Sequence, residues 1–374
     1  MPDLTLILLA AGSSNRFELN VKKQWLRVDH NPLWKFVAQK LEKTHLFHKI
    51  IITSSSDDIE FMKNYADYTF VEGSDTRQKS LKNALEYVDT EFVLVSDIAR
   101  SCISEEFLKK IISKKSSSDS IVPYLKVTDT IVYKNETINR DEVKRIQTPQ
   151  LSKTSVLKNA LDTNQEYTDE SSAIVANGGT RKFILGDEDA HKITYISDLN
   201  KIPCLDAPSK DTMSGTGFDV HAFDETGDMW LGGVKIESDY GFKAHSDGDV
   251  AIHSLIDALL GAAGLGDIGM MFPDNDDAYK GIDSKELLKR VVYKIYNFGF
   301  VIVNIDLTIA AEKPRIGKYK TEIRKTLAAI LKIDASRVNI KATTTEKLGF
   351  IGRGEGVGVL ANANLKYYDW TNRN

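Results

Sequence analysis

The sequence predicts an α/β protein of two successive domains, the first built on a doubly wound sheet. Three observations predict it. The chain has 374 residues, more than twice the roughly 150 residues of a typical domain. Short continuous apolar runs alternate with helical stretches through the first half, the pattern of strands covered on both faces of a parallel sheet. Between Ser197 and Ser214 the chain turns polar, carries Pro203 and Pro208 and loses all amphipathic period, the composition of a linker. The expected division is residues 1–199 for the first domain, 200–212 for the linker and 213–374 for the second domain.

In the first domain Leu4–Ala11 reads as a buried strand, Leu33–Glu42 as a helix, Lys49–Thr53 as a strand, Gln78–Tyr87 as a helix and Phe92–Ser96 as a strand. Ser120–Tyr124 and Lys182–Leu185 extend the sheet, and the polar run Ser113–Asp119 is a surface loop. Ligands of such a sheet bind at the carboxyl ends of its strands. In the second domain Gly217–Ala222 and Trp230–Ile236 read as strands before a long apolar-periodic helix, Gly248–Gly261. A Gly/Asp/Pro-rich loop to Asp277 leads to a helix at Ser284–Phe298, a strand at Val301–Ala311, a helix at Ile316–Leu331 and a strand at Arg337–Thr343. No internal similarity links the halves, so two unrelated domains is the economical reading.

Composition narrows the functional classes. With 42% hydrophobic and 27% charged residues the chain is average for a globular protein, which excludes wholesale disorder, a collagen-like fibre and an integral membrane protein. Its 49 Lys+Arg against 53 Asp+Glu give no general attraction to a polyanion, so no nucleic-acid partner is expected. The two cysteines, Cys102 and Cys204, cannot build a disulfide framework and show no metal-ligand spacing; a reducing compartment is expected. Leu4–Ala11 follows Asp3 rather than a basic leader, making a poor signal peptide, and is far shorter than the roughly 20 residues of a membrane span. A cytoplasmic location follows as the expectation.

Chemistry in the first domain gathers at strand ends. After the first strand come Gly12-Ser13-Ser14-Asn15-Arg16 and then Lys22-Lys23-Gln24. A Gly/Ser turn lets backbone N–H groups approach a phosphate, and a nearby cation neutralises it. The turn is neither a Walker A loop nor a GxGxxG fingerprint, and alone it is equally an ordinary strand-to-helix turn. Gly73-Ser74-Asp75-Thr76-Arg77 through Ser80 repeats the pattern, and Asp97 directly follows an apolar strand, a position suited to a divalent cation beside phosphates or to capping a helix.

Together, Leu-Ala-Ala-Gly-x-x-x-Arg, Lys-Gln, Gly-x-Asp-x-Arg-x-x-Ser, Ser-Asp-x-Ala-Arg, Thr-Asp-Thr, Thr-Pro-Gln and Thr-Asp-Glu, spread over residues 7–192, resemble the cytidylyltransferase of the non-mevalonate isoprenoid pathway. The resemblance implies a Rossmann-like nucleotidyltransferase domain joining CTP to 2-C-methyl-D-erythritol 4-phosphate with release of diphosphate. It assigns Arg16 and Lys23 to the transition state at the α-phosphate, and Asp97 to Mg²⁺. Gly12 goes to the phosphate turn, and Gly73, Asp75 and Ser80 to cytosine and ribose. Arg140 and Lys192, with Thr130 nearby, hold the methylerythritol phosphate. Lys22 stands where the family has proline, and Ser96 and Ile98 replace its His and Ala around Asp97.

In the second domain His221, His245 and His253 fall within 33 residues. Asp219-Val220-His221 on a strand directs both side chains to one face, and His253 lies on the long helix with Asp249 and Asp257 at i−4 and i+4. Two imidazoles and a carboxylate with a fourth position open is the ligand set of a catalytic zinc-type site. Asp257 is expected as the best-placed carboxylate to orient an imidazole. The strings Phe-Asp-Val-His-Ala-Phe, Ala-His-Ser-Asp-Gly-Asp-Val, Asp-Ala-Leu-Leu-Gly-Ala-Ala, Gly-Asp-Ile-Gly and Lys-Ala-Thr-Thr-Thr-Glu-Lys-Leu-Gly-Phe-x-Gly-Arg-Gly-Glu-Gly closely resemble 2-C-methyl-D-erythritol 2,4-cyclodiphosphate synthase over residues 213–370.

That second resemblance implies an α/β cyclodiphosphate synthase domain in which Asp219, His221 and His253 bind zinc and Glu346 holds Mg²⁺ or Mn²⁺ on the substrate diphosphate. His245 and Thr344 assist the transition state, and Asp267, Ile268 and Gly269 line the erythritol pocket. Ser246, Phe272, Asp276, Thr343, Thr345, Phe350 and Arg353 complete the substrate site. Residues 311–316 match the cytosine stretch in position, with Glu312 and Lys313 departing from it. The implied whole is a bifunctional enzyme of isoprenoid precursor synthesis, acting on CTP, methylerythritol phosphate and its cytidyl diphosphate derivative, and assembling as a homo-oligomer: a trimer through the second domain, a hexamer if the first also pairs. The rival reading fuses the cyclase to a nucleotidyltransferase of other sugar-phosphate specificity or to an inactive scaffold.

Overall fold

The computed structural model describes residues 3–371 except 13, 15, 16, 18, 244, 245, 274, 276–278 and 280. It divides into two compact units, residues 1–207 with 370–374 and residues 208–369. The sequence reading ends the second domain at residue 374, whereas Trp370 clusters with the first unit. Its buried indole N–H donates to the Arg27 carbonyl at 2.7 Å, so burial and one hydrogen bond, invisible in local composition, decide its place.

In the first unit one sheet runs in the order Lys144–Ile146, Ser120–Lys126, Gln150–Lys153, Phe92–Asp97, Leu4–Leu9, Lys49–Ser54, Thr69–Glu72, with Arg181–Leu185 also pairing with Ser120–Lys126. Leu4–Leu9 is parallel to both neighbours and buried at all six positions, the reason its sequence is a continuous apolar run. Beyond Phe92–Asp97 the sheet becomes mixed, because Gln150–Lys153 pairs antiparallel on both sides. Helix Arg77–Leu85 begins at Thr76, whose hydroxyl accepts the Lys79 N–H, and packs Leu81, Ala84 and Leu85 with Ile7, Ile51, Val93 and Val95 into one core. Cys102 and Cys204 are joined by a disulfide. The sequence reading, which saw no disulfide framework and expected a reducing compartment, did not anticipate this link: the fold of one unit brings together residues 102 apart in sequence, a proximity that spacing cannot reveal.

The second unit is a five-stranded sheet in the order Gly241–Phe242, Thr212–Asp224, Gly356–Tyr367, Phe300–Ala310, Val338–Thr343. Helix Val250–Ala263 lies against Thr212–Asp224, where a Cβ on Gly215 or Gly217 would collide with the helix backbone at Ala258 and Ala262 or at Ser254. Glycine is thus required for the helix to lie this close. The expected strand Trp230–Ile236 is instead a hairpin, Met229–Leu231 and Val234–Ile236, turned at Gly232 and Gly233 with φ of 59° and 77°. Positive φ at both central residues matches the twist of a tight hairpin. Gly356–Tyr367, between two strands of the sheet, is absent from the sequence reading, although Val357, Val359, Ala361, Ala363 and Leu365 alternate along it and are all fully buried.

Candidate active sites

Parallel register alone assembles the first site. Leu9 lies opposite Thr53 on one side and Asp97 on the other, so three strands end side by side. The loops leaving them enclose a cavity of about 710 Å³ whose lining includes Gly12, Lys23, Asp75, Ser80, Asp97 and Lys192. Arg16 lies outside the described residues.

Local causes place each of these side chains. Ser14, at φ 59°, accepts the Lys23 N–H on its hydroxyl at 3.1 Å. Lys22, at the family's proline position, pairs with buried Asp58 at 2.8 Å, and the Gln24 amide donates to the other Asp58 oxygen at 3.2 Å. A buried anion thereby anchors both flanks of Lys23, where a proline would restrict the backbone through its ring. Gly73 is a glycine for space, since a Cβ there would strike the Ala11 side chain. The Ser80 hydroxyl donates to the Thr76 carbonyl and accepts the Ser74 N–H, both at 2.9 Å, closing the turn that carries exposed Asp75.

Asp97 is the most heavily engaged group. One oxygen accepts from Arg77 at 3.4 Å, the other from Lys192 at 2.7 Å and the Thr148 hydroxyl at 3.3 Å. Arg77 also grips buried Glu170 at 2.5 Å, and Arg100 donates to the Thr148 hydroxyl oxygen at 2.9 Å. Burial pushes the Asp97 carboxyl up, but the Arg77 and Lys192 charges outweigh it and hold the group well below the usual carboxylate range. Sequence reasoning gave Arg77, Arg100, Thr148 and Glu170 no role, although all four stand inside the quoted motifs.

Thr130 and Arg140 are not among the residues lining this cavity. Both are exposed on an arm that includes the hairpin Ile131–Tyr133 and Glu136–Ile138. Arg140 donates to the Thr128 carbonyl at 2.7 Å and lines a separate pocket with Lys126 and Lys144. The pairing of Arg140 with Lys192 expected from the sequence therefore does not form within one chain.

The second site grows from the face of Thr212–Asp224 that also carries Gly215 and Gly217. Those glycines admit the helix, and the helix brings His253 beside Asp219 and His221; their ligating atoms all lie within 4.8 Å of one another. Asp219 Oδ2 is 3.2 Å from His221 Nε2 and 3.4 Å from His253 Nδ1. His221 Nδ1 faces the Gly248 carbonyl at 2.9 Å. A carbonyl only accepts, so Nδ1 carries a hydrogen, and in the neutral ring Nε2 keeps its lone pair toward the carboxylate oxygen. Two lone pairs at that distance call for a cation between them, and the set of one carboxylate and two imidazoles suits zinc.

Neither carboxylate expected to orient His253 does so. Asp249 is fully buried and accepts from Gly232, Gly233 and Ile252 N–H groups at 2.8, 2.6 and 3.0 Å, capping the helix and tying the hairpin turn to it. Asp257 accepts the Ile268 N–H at 2.8 Å, fixing the loop of Asp267, Ile268 and Gly269. Backbone donors nearer each carboxylate win over the imidazole. Instead His253 Nε2 meets Ser284 at 2.9 Å and Ser246 at 3.3 Å. His245 and Asp276 lie outside the described residues, and Phe272 is buried with its ring against Tyr279.

Thr343 and Thr344 line a further cavity of about 890 Å³ together with Ala311, Glu312, Pro314 and Arg315, so the cytosine stretch and the hydroxyl-bearing strand end do meet. Glu346 and Lys347 sit at φ of 51° and 65°, an uncommon conformation for residues with a Cβ. Glu312 sustains it: its Oε1 accepts the Thr345 and Lys347 N–H groups, both at 3.1 Å. The departure at Glu312 thus closes the loop that presents Glu346, whose Oε1 accepts the Thr344 hydroxyl at 3.0 Å. Phe350 is 39% exposed, and Arg353 is paired with Glu355 at 2.7 Å.

Residues 4–203 match the family model of 2-C-methyl-D-erythritol 4-phosphate cytidylyltransferase, and residues 212–366 match the YgbB family. The chain is 74% identical over 368 residues to the bifunctional enzyme IspD/IspF of Sulfurimonas denitrificans, covering 98% of this chain and 95% of that protein. It is 56% identical to the protein of the same name from Aliarcobacter butzleri, with 100% of both chains covered. The solved structure of the bifunctional IspDF from Campylobacter jejuni superposes with a TM-score of 0.92 at 49% identity, covering 99% of this chain and 100% of that one.

Proposed function

The chain belongs to the family of bifunctional IspD/IspF enzymes, and we propose that the cavity around Asp97 transfers CMP from CTP to 2-C-methyl-D-erythritol 4-phosphate while the Asp219 cluster serves the 2,4-cyclodiphosphate synthase. The convergence of Lys23, Asp97 and Lys192 on one cavity carries the first assignment. CTP lies with its phosphates on the turn at Gly12 and its cytidine against Gly73, Asp75 and Ser80. A 4-phosphate oxygen attacks the α-phosphorus, the bond to the β-phosphate oxygen breaks, and diphosphate leaves. Lys23 and Arg16 neutralise the charge that builds there, the main lever in phosphoryl transfer. Asp97 would hold Mg²⁺ or Mn²⁺, which would supply further charge neutralisation to the phosphates. Lys192, on Asp97 Oδ2 at 2.7 Å, turns to the arriving substrate phosphate.

In the second site a phosphate oxygen on the 2-position attacks the β-phosphorus of the CDP group, the bond to the α-phosphate oxygen breaks, and CMP leaves. Zinc at Asp219, His221 and His253, with Mg²⁺ or Mn²⁺ at Glu346, supplies Lewis-acid charge neutralisation. Thr344 and His245 assist the transition state, the loop of Asp267, Ile268 and Gly269 takes the erythritol, and the cavity beside Ala311 and Thr343 takes cytidine. The family implication of two phosphate sites also fits a cytoplasmic enzyme drawing on CTP; among the described residues no helix is long and apolar enough to cross a membrane.

Both sites need a second copy of the chain. Asp219, Val359, Ile309 and Ala342 form one row across the sheet, so the zinc cluster and the Thr343–Glu346 segment stand three strand spacings apart, about 14 Å. That is too wide for one diphosphate. We place the cyclase site between neighbours of a trimer, a reading supported by exposed Phe218, Val220 and Leu360 on the outer face of the sheet, apolar surface that suits association. Likewise Arg140 on its exposed arm serves the partner's Lys192 cavity, pairing first domains and making a hexamer. Chains carrying Asp219→Ala and Glu346→Ala are each expected to be inactive in cyclisation. Dissociated and reassembled together, they recover activity at about a quarter of the sites, the random share with both intact halves. No recovery on mixing would sink the shared site.

A further inference from the structure

We infer that Ser284, held by Asp247, is a positioning residue that fixes the tautomer of His253 and so turns its Nδ1 lone pair toward the metal position. The inference rests on the reading that Asp219, His221 and His253 hold a divalent metal, and it names residues outside that ligand set.

Donors and acceptors decide it. Asp247 receives three hydrogens: Oδ2 accepts the Ser284 N–H at 3.0 Å, and Oδ1 accepts the Ser284 hydroxyl at 2.5 Å and the Asp249 N–H at 3.3 Å. A carboxylate has no proton to give, so the single hydroxyl hydrogen of Ser284 points at Asp247. Only lone pairs remain on the Ser284 oxygen, and they face His253 Nε2 at 2.9 Å. Nε2 therefore carries the ring hydrogen. In the neutral, metal-binding ring Nδ1, the atom 3.4 Å from Asp219 Oδ2, then carries the lone pair.

Ser246 touches the same Nε2 at 3.3 Å and accepts the Gly248 N–H at 3.2 Å, but among the described residues no carboxylate takes its hydroxyl hydrogen. Alone it would accept either tautomer. Ser284 is fully buried at the first residue of helix Ser284–Asn297, so bulk water does not compete for its oxygen. The two histidines are thus fixed by different means. His221 uses a main-chain carbonyl, whereas His253 uses a serine that transmits the acceptor character of an aspartate 37 residues away in sequence. Outer partners of this kind raise ligand basicity and fix ring orientation, and their loss typically costs roughly 10–100-fold in metal affinity.

The test titrates metal-stripped, full-length protein with Zn²⁺ against a chromophoric chelator. Ser284→Ala is expected to bind zinc roughly 10–100-fold more weakly than the parent, and Ser284→Thr, which keeps the hydroxyl, to recover most of that loss. Nitrogen-15 histidine spectra of the metal-free parent are expected to show His253 hydrogenated at Nε2. This readout needs no variant to fold, and a merely structural serine would not set it. Parent-like zinc affinity in Ser284→Ala, while His253→Ala loses zinc, overturns the inference alone, as does an Nδ1–H tautomer in the parent. A parent chain that binds no zinc, or binds it unaffected by His253→Ala, overturns the metal reading and the inference with it.

Discussion

Lys23→Ala is expected to lower the turnover of cytidylyl transfer by about 10²–10³-fold and to leave cyclisation by the same chain at the parent rate. The size follows from what Lys23 touches at rest. Its ammonium makes a long hydrogen bond to the Ile193 carbonyl at 3.3 Å, and the turn around it is held by its backbone N–H on Ser14 and by Lys22 and Gln24 on Asp58. Those anchors survive the substitution, so the loss is of charge in the cavity rather than of fold. An interaction made mainly in the transition state lowers kcat with little change in KM for CTP. Cyclisation belongs to the other compact unit and acts as an internal control. Retained transfer would remove Lys23 from the transition state; parallel loss of both activities would mean unfolding.

How much of this could be read in the chain depends on whether the deciding interaction is local. The phosphate-type turns at Gly12 and Gly73 and the acid at Asp97 are legible because each sits at the end of a continuous apolar strand, and parallel pairing then sets those ends together without further information. Asp219, His221 and His253 are legible for a related reason: strand alternation and helix period fix their faces. What failed was the choice among acceptors. Asp249 and Asp257 stand one helical turn from His253, yet spacing does not say that the N–H groups of Gly232, Gly233, Ile252 and Ile268 lie nearer each carboxylate. Ser284 and Asp247, from separate segments, met only once the chain was folded. The strand Gly356–Tyr367 is legible but overlooked in the sequence reading: Val357, Val359, Ala361, Ala363 and Leu365 alternate along it, the period of a strand with one buried face. The Cys102–Cys204 link and the return of Trp370 are, by contrast, matters of tertiary contact.

Asp97→Asn is expected to cost the first unit about 3 kcal/mol, near the lower end for breaking a buried ion pair, besides abolishing most cytidylyl transfer. The lower end applies because Arg77 keeps Glu170 at 2.5 Å after the change, and Lys192, 37% exposed in its side chain, can reach water. For a unit of this size the melting temperature falls by roughly 6–12 °C. The pH dependence has a definite sign. Arg77 and Lys192 depress the folded carboxyl below its unfolded value, roughly 3.9. Its contribution is therefore complete above that value and is lost as pH falls through and below it toward the folded one. Urea midpoints of parent and Asp97→Asn should differ fully at pH 7 and converge progressively below about pH 4. A gap that stayed constant into acid would mean that Asp97 stabilises by shape rather than by charge. The hold that Lys192 has on it would then be no ion pair for a substrate phosphate to exchange.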